Sequence, residues 1–272
     1  MQSKIGWLVL SQSYHGHADM FTSLTDPSIG VPKDENIKVL FDDYKEDEIK
    51  IADAVIIEPI SLEMTDKRKN WLIKLRNDCT KHDTVLIFDE TITAPRMPKY
   101  TVAQTYGIEP DLIVMGKALA NGLPLSIVGG KREIMDCGEY FISSTFSGDT
   151  LALAGCIATL EEIQKRNHEE YFEKANVFMR KVNELLSKVD VKIDGYGTRG
   201  MYPMTTLNGA LVAQELCKAG VLFGKAYFYG YQHIDYGTDE VVLEILRDVT
   251  DRVRQGTVKL EGKMPVETFK RS

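Results

Sequence analysis

Two hydrophobic periods alternate along the chain. Short apolar runs occupy residues 5–11, 37–41, 54–58, 85–88, 112–115 and 125–128. The runs at 85–88 and 112–115 are unbroken and β-branched, as in strands buried on both faces. Between strands the period lengthens to that of a helix. Over 65–82, Trp71, Leu72, Leu75 and Cys79 form one stripe behind a Thr65 N-cap, with Asp66 in the first turn. With a second helix near 100–107, the order strand–helix–strand–helix–strand predicts a parallel sheet.

Farther along, 131–135 opens a short helix and 150–163 is an apolar one. The stretch 167–189 is amphipathic, with Asn167 and Glu170 as a capping-box-like start and Tyr171, Ala175, Phe178, Val182, Leu185, Leu186 and Val189 on one stripe. The glycine-rich run 195–200 reads as a boundary of turns. Beyond it the pattern predicts a helix near 209–219, strands near 221–223 and 226–229, and a helix over 238–255 ended by Gly256. The expected organisation is a large domain over 1–195, a small α+β domain over 196–256 and a polar tail over 257–272.

Two strands end on chemistry. Asp89 closes the 85–88 run, and Lys117 follows 112–115. Open α/β sheets bind ligands outside the carboxyl ends of their strands, so this acid and this lysine are expected to face one crevice. A lysine forms a Schiff base with an aldehyde, and an aspartate keeps a pyridine nitrogen protonated. Together they suit pyridoxal 5'-phosphate (PLP) as an electron sink. Spacing alone leaves another reading open, a strand-end aspartate capping a helix and an ordinary surface lysine. His15 and His17 form an H-x-H, but no third ligand follows at regular spacing, so no metal is expected.

Composition narrows the class. A net charge of −7 with no basic block argues against a nucleic-acid surface, and 43% hydrophobic residues suffice for one large domain or one and a half. Cys79, Cys137, Cys156 and Cys217 are scattered without a C-x-x-C, so buried thiols are expected rather than disulfides or zinc. No apolar run approaches the ~18 residues of a membrane span, and no signal peptide precedes the first strand. The expected setting is cytoplasmic, away from membranes.

The text of several stretches resembles a known family. These are Tyr-His-Gly-His-Ala-Asp-Met-Phe (14–21), Gly-Val-Pro-Lys-Asp (30–34), Phe-Asp-Glu (88–90), Gly-Lys-Ala-Leu-Ala-Asn-Gly-Leu-Pro (116–124), Val-Gly-Gly-Lys-Arg-Glu-Ile-Met (128–135) and Ser-Thr-Phe-Ser-Gly (144–148). In that order they resemble the class III PLP-dependent aminotransferases, most closely the glutamate-1-semialdehyde 2,1-aminomutase branch, over roughly residues 1 to 256. The resemblance implies the fold type I, aspartate aminotransferase-like α/β fold and a Schiff base on Lys117, with Asp89 at the ring nitrogen. It implies that Tyr14 stacks on the cofactor, with His15 beside it. It also implies that Thr145 reaches the phosphate of a neighbouring subunit in a homodimer, and that the substrate is a small amino acid or amino-aldehyde.

Three departures qualify it. Thr91 stands where the family has a valine on the ring face opposite the tyrosine. Ala94-Pro95 replaces Gly-Phe before Arg96. The family's opening segment, with its first strand and a phosphate-binding turn, precedes the position of Met1. A truncated fold of this kind is expected to draw that segment from a companion chain. The alternative from another class is a non-catalytic homologue kept as a scaffold or partner-binding subunit.

Overall fold

The computed structural model describes residues 5–11, 13–16, 34–136 and 145–266. His17, Cys137, most of the 26–35 loop and residues 267–272 lie outside them. The described residues form two compact units, one built on Thr65–His168 with those up to Ser61, the other on residues 169–266 with Leu62–Met64.

The first unit is a six-stranded sheet. Its strands are β1 (Ile5–Leu10), β2 (Ile37–Leu40), β3 (Ala52–Ile57), β4 (Val85–Asp89), β5 (Leu112–Met115) and β6 (Ile127–Gly130), in the order β2-β1-β3-β4-β5-β6. The first five run parallel, with Ile57 opposite Phe88 and Asp89 opposite Val114. β6 is antiparallel to β5. The link between those two contains only a 3-10 turn, Lys117–Ala120, and a parallel return needs a longer crossover. One sheet face buries Val9, Ala54, Ile56 and Ile87.

Helices α1 (Glu46–Lys50), α2 (Asp66–His82) and α3 (Val102–Tyr106) connect the parallel strands. α2 starts where Thr65 Oγ1 accepts from the Arg68 amide and ends at Asp83 in the left-handed region. It buries Leu72, Leu75 and Cys79 and packs on β4. After β6 come α4 (Arg132–Met135) and α5 (Thr150–Gln164). Asp149 caps α5, its carboxylate accepting from the Ala152 amide at 3.0 Å.

The second unit contains α6 (His168–Leu186) from Glu169 on, α7 (Leu207–Lys218), α8 (Tyr231–Asp235), α9 (Thr238–Arg254) and an antiparallel sheet of β7 (Asp194–Tyr196), β8 (Arg199–Met201) and β9 (Ala226–Phe228). Phe178, Val182 and Leu186 of α6 share a core with Val212 and Leu216 of α7 and with Leu246 and Val249 of α9. That shared core groups α6 with the second unit, whereas the sequence pattern placed the division near 195. The 195–200 run, read as turns, contributes the hairpin of β7 and β8. Residues 221–223, expected as a strand, lie outside any strand, and the helix end before them turns at Gly220 (φ 84°). Cys79 and Cys156 are buried as expected, whereas Cys217 is exposed. Among the described residues no helix is long and apolar enough to cross a membrane.

Candidate active site

Parallel strands align their carboxyl ends, and three consecutive ends here carry ionisable residues. Glu58 follows β3, Asp89 closes β4 and Lys117 lies just past β5. Side chains alternate along a strand, so Asp89 continues the face that carries Val85 and Ile87. Only 8% of Asp89 is exposed.

Both oxygens of Asp89 are engaged. Oδ2 lies 2.8 Å from His15 Nδ1. Oδ1 accepts from the Thr91 amide at 3.0 Å and from the Thr91 hydroxyl at 2.5 Å. Burial pushes the carboxyl upward, but the hydrogen bonds from His15 and Thr91 prevail and hold it below the ordinary aspartate value. An ionised carboxylate only accepts, so His15 Nδ1 carries the hydrogen of that bond. The His15 side chain is only 1% exposed. Its Nε2 is buried and finds no hydrogen-bond partner among the described residues.

Glu58 sets the approach of His15. The chain turns after β1 as the Ser13 amide donates to the Leu10 carbonyl. The Tyr14 amide then donates to Glu58 Oε2 at 2.9 Å. With its backbone tied to the end of β3, the segment delivers His15 to the end of β4. Tyr14 itself is half-buried. The signal for Glu58 was present in the sequence as an acid at a strand end, like Asp89, but its hold on a backbone amide 44 residues away was not.

Lys117 opens the 3-10 turn with φ 46°, a left-handed conformation uncommon outside glycine and asparagine. It is solvent-exposed. The turn is pinned from behind, where Leu119 and Ala120 pack on Cys156 of α5. Gly155 permits that approach, because a Cβ there would meet Leu123 Cδ1 at 2.6 Å. At Gly116, just before the lysine, a Cβ would lie 3.3 Å from the Leu125 carbonyl oxygen and 3.4 Å from Thr91 Cγ2. Thr91 thus borders both the carboxylate of Asp89 and the backbone leading into Lys117.

Two further carboxylates brace these strands, Glu90 at their carboxyl ends and Asp111 at their amino ends. Glu90 is fully buried and accepts from the amides of Val102 and Ala103, which holds the start of α3, and from the Thr93 hydroxyl. Burial pushes its carboxyl up. Asp111 precedes β5 and accepts from the Leu86 amide, Arg76 and Lys131. The candidate residues therefore fall into groups. Asp89, His15 and Thr91 are joined directly, and Lys117 stands at the adjacent strand end. Tyr14 adjoins His15 through the chain. Thr145 is exposed ahead of α5, and no hydrogen bond among the described residues ties it to Asp89 or His15. Asp149 is the cap of α5. Among the described residues no cluster of three or more His, Cys, Asp or Glu is arranged to hold a metal.

Residues 31–226 match the family model described as "Aminotransferase class-III". Over 217 residues the chain is 34% identical to glutamate-1-semialdehyde 2,1-aminomutase 2 of Lachnoclostridium phytofermentans, covering 68% of this chain and 50% of that protein. A glutamate-1-semialdehyde 2,1-aminomutase of Francisella philomiragia is 30% identical over 249 residues, covering 79% and 57%. The chain spans about half the length of the curated relatives it matches. Among solved structures, an S-selective transaminase from Bacillus megaterium superposes with a TM-score of 0.74 at 19% identity, covering 93% of this chain and 71% of that one. A structure described as a transaminase with PLP bound gives 0.72 at 18% identity, covering 92% and 69%. At such identities the likeness establishes the fold, the fold type I α/β architecture of PLP transaminases.

Proposed function

The chain belongs to the class-III aminotransferase family, and from that premise we propose that its strand-end site binds PLP and transfers an amino group. The proposed reaction is transamination or aminomutation of the glutamate-1-semialdehyde aminomutase type, on a small amino acid or amino-aldehyde. The observation that carries this reading is that a buried Asp89 with a lowered pKa and an exposed Lys117 stand at the carboxyl ends of adjacent parallel strands. This donor set fits the cofactor. A cationic ring nitrogen needs a carboxylate that stays charged when buried, and an aldehyde needs a primary amine.

When bound, PLP supplies the aldehyde and an electron sink for the bond being broken. Asp89 holds a proton on the ring nitrogen. Lys117 Nζ would be the amine that holds the aldehyde, and in its neutral, free form it would take and return the substrate proton. Tyr14 offers an aromatic face to the ring. Thr145, ahead of the α5 N-terminus, offers its hydroxyl to a phosphate across an interface between subunits.

Association belongs to the same proposal. Leu153, Ile157 and Leu160 lie on one face of α5 and remain exposed, and β6 is a sheet edge with Ile127 and Val128 exposed. A second copy of the chain covers the α5 face, and a companion chain pairs with the β6 edge and adds phosphate donors. The test is an amino-transfer assay with added PLP, on this chain alone and mixed with candidate companion chains. Activity that disappears in Lys117→Ala supports the reading. A chain that binds partners yet transfers nothing under any condition favours the scaffold role.

A further inference from the structure

Thr91 was expected to lie against a cofactor face, in the position of an apolar side chain. In the structure its hydroxyl donates to Asp89 Oδ1, and its methyl lies 3.4 Å from where a Cβ at Gly116 would stand. The count of acceptor positions gives this a consequence. A carboxylate has about four lone-pair positions, two on each oxygen. The amide and hydroxyl of Thr91 take both positions of Oδ1, and His15 Nδ1 takes one of Oδ2. A single position remains, on Oδ2.

We propose that Thr91 is a positioning residue, whose amide and hydroxyl together fill Oδ1 of Asp89 so that the carboxylate offers a cationic partner only the oxygen it shares with His15. The inference rests on the reading of the site given above and adds a specificity to it. A valine at this position leaves Oδ1 half open and Asp89 able to take a ring N–H on either oxygen. Threonine closes one choice and draws charge from the other, which weakens Asp89 as a counter-ion and couples it to His15. The Thr91 methyl would meet a Cβ at Gly116 at 3.4 Å, so the same residue also borders the turn that bears Lys117. The other charged groups nearby are Lys117, exposed at the end of the adjacent strand, Glu90, whose carboxylate is committed to the start of α3, and Glu58, whose carboxylate holds the Tyr14 amide. The hydroxyl of Thr91 is the one donor here that a single isosteric change removes.

Two substitutions separate the hydroxyl from the methyl. Thr91→Val keeps the shape and the amide, and Thr91→Ser keeps the hydroxyl. The measurement is the titration of the Asp89 carboxyl carbon by NMR, in protein without cofactor and with its aspartates selectively labelled. Loss of one hydrogen bond to a charged oxygen is expected to raise the Asp89 titration midpoint in Thr91→Val by about one pH unit. Thr91→Ser is expected to titrate like the unaltered chain. An unchanged midpoint in Thr91→Val, or equal shifts in the valine and serine variants, overturns the proposal. If the valine variant does not fold, a serine variant with a displaced midpoint overturns it and one with an unchanged midpoint sustains it. These outcomes do not depend on PLP, so a failure of the proposed cofactor reading is seen separately, as absence of PLP binding by the unaltered chain.

Discussion

Single carboxylates decide much of the behaviour at the two ends of β4 and β5. Asp89 and Asp111 are both buried, and in both burial raises the pKa while hydrogen bonds lower it further than burial lifts it. A carboxyl whose folded value is depressed contributes stability above its unfolded value, here near 3.8, and that contribution is lost as the pH falls through the folded value. Acid unfolding should therefore begin below the ordinary aspartate range. Asp111→Asn tests this away from the site. It removes the charge facing Arg76, Lys131 and the Leu86 amide, at an expected cost of about 2 kcal/mol, since Lys131 is half-exposed and counts for little. Urea midpoints at pH 7 and pH 3 should differ less in the variant than in the unaltered chain, and an equal difference contradicts the assignment. Asp89 and Lys117 were legible in the sequence because each ends an apolar run. The bond from His15 to Asp89 was not, because it joins residues 74 apart through a turn fixed by Glu58.

Elements with a strong period were the readily legible ones. α2 showed its cap and its stripe in the sequence, and β4 and β5 showed unbroken β-branched runs. β7 and β8 were hidden because a glycine-rich hairpin has neither alternation nor branched side chains. Residues 221–223 misled for the opposite reason, an apolar run that follows a helix end without pairing in a sheet. α5 is the element whose composition and exposure disagree most. Its apolar side chains bury Ala152, Cys156 and Ile163, yet Ile157 is 59% exposed between Leu153 and Leu160. Such a stripe is the surface that the proposed self-association would cover. Ile157→Asp, at an exposed position, should leave the fold intact and shift the sedimenting species from a dimer toward the 30.6 kDa monomer at micromolar concentration. A monomer in the unaltered chain, or an unchanged dimer in the variant, removes α5 from the interface.

At the scale of the molecule, the family and the α/β class were readable from ordered blocks of sequence, whereas the grouping of the chain was not. α6 carries an apolar stripe that suits either neighbouring unit, and only its packing with α7 and α9 shows which core it completes. The same scale holds the central claim, that the strand ends of the first unit form a PLP site with Lys117 as its covalent anchor. The direct measurement is to incubate the chain with PLP, reduce with borohydride, digest, and locate the pyridoxyl group by mass spectrometry. The expected result is one modified residue, Lys117, with no modification in the Lys117→Ala chain. Modification spread over exposed lysines, or unchanged by Lys117→Ala, contradicts it.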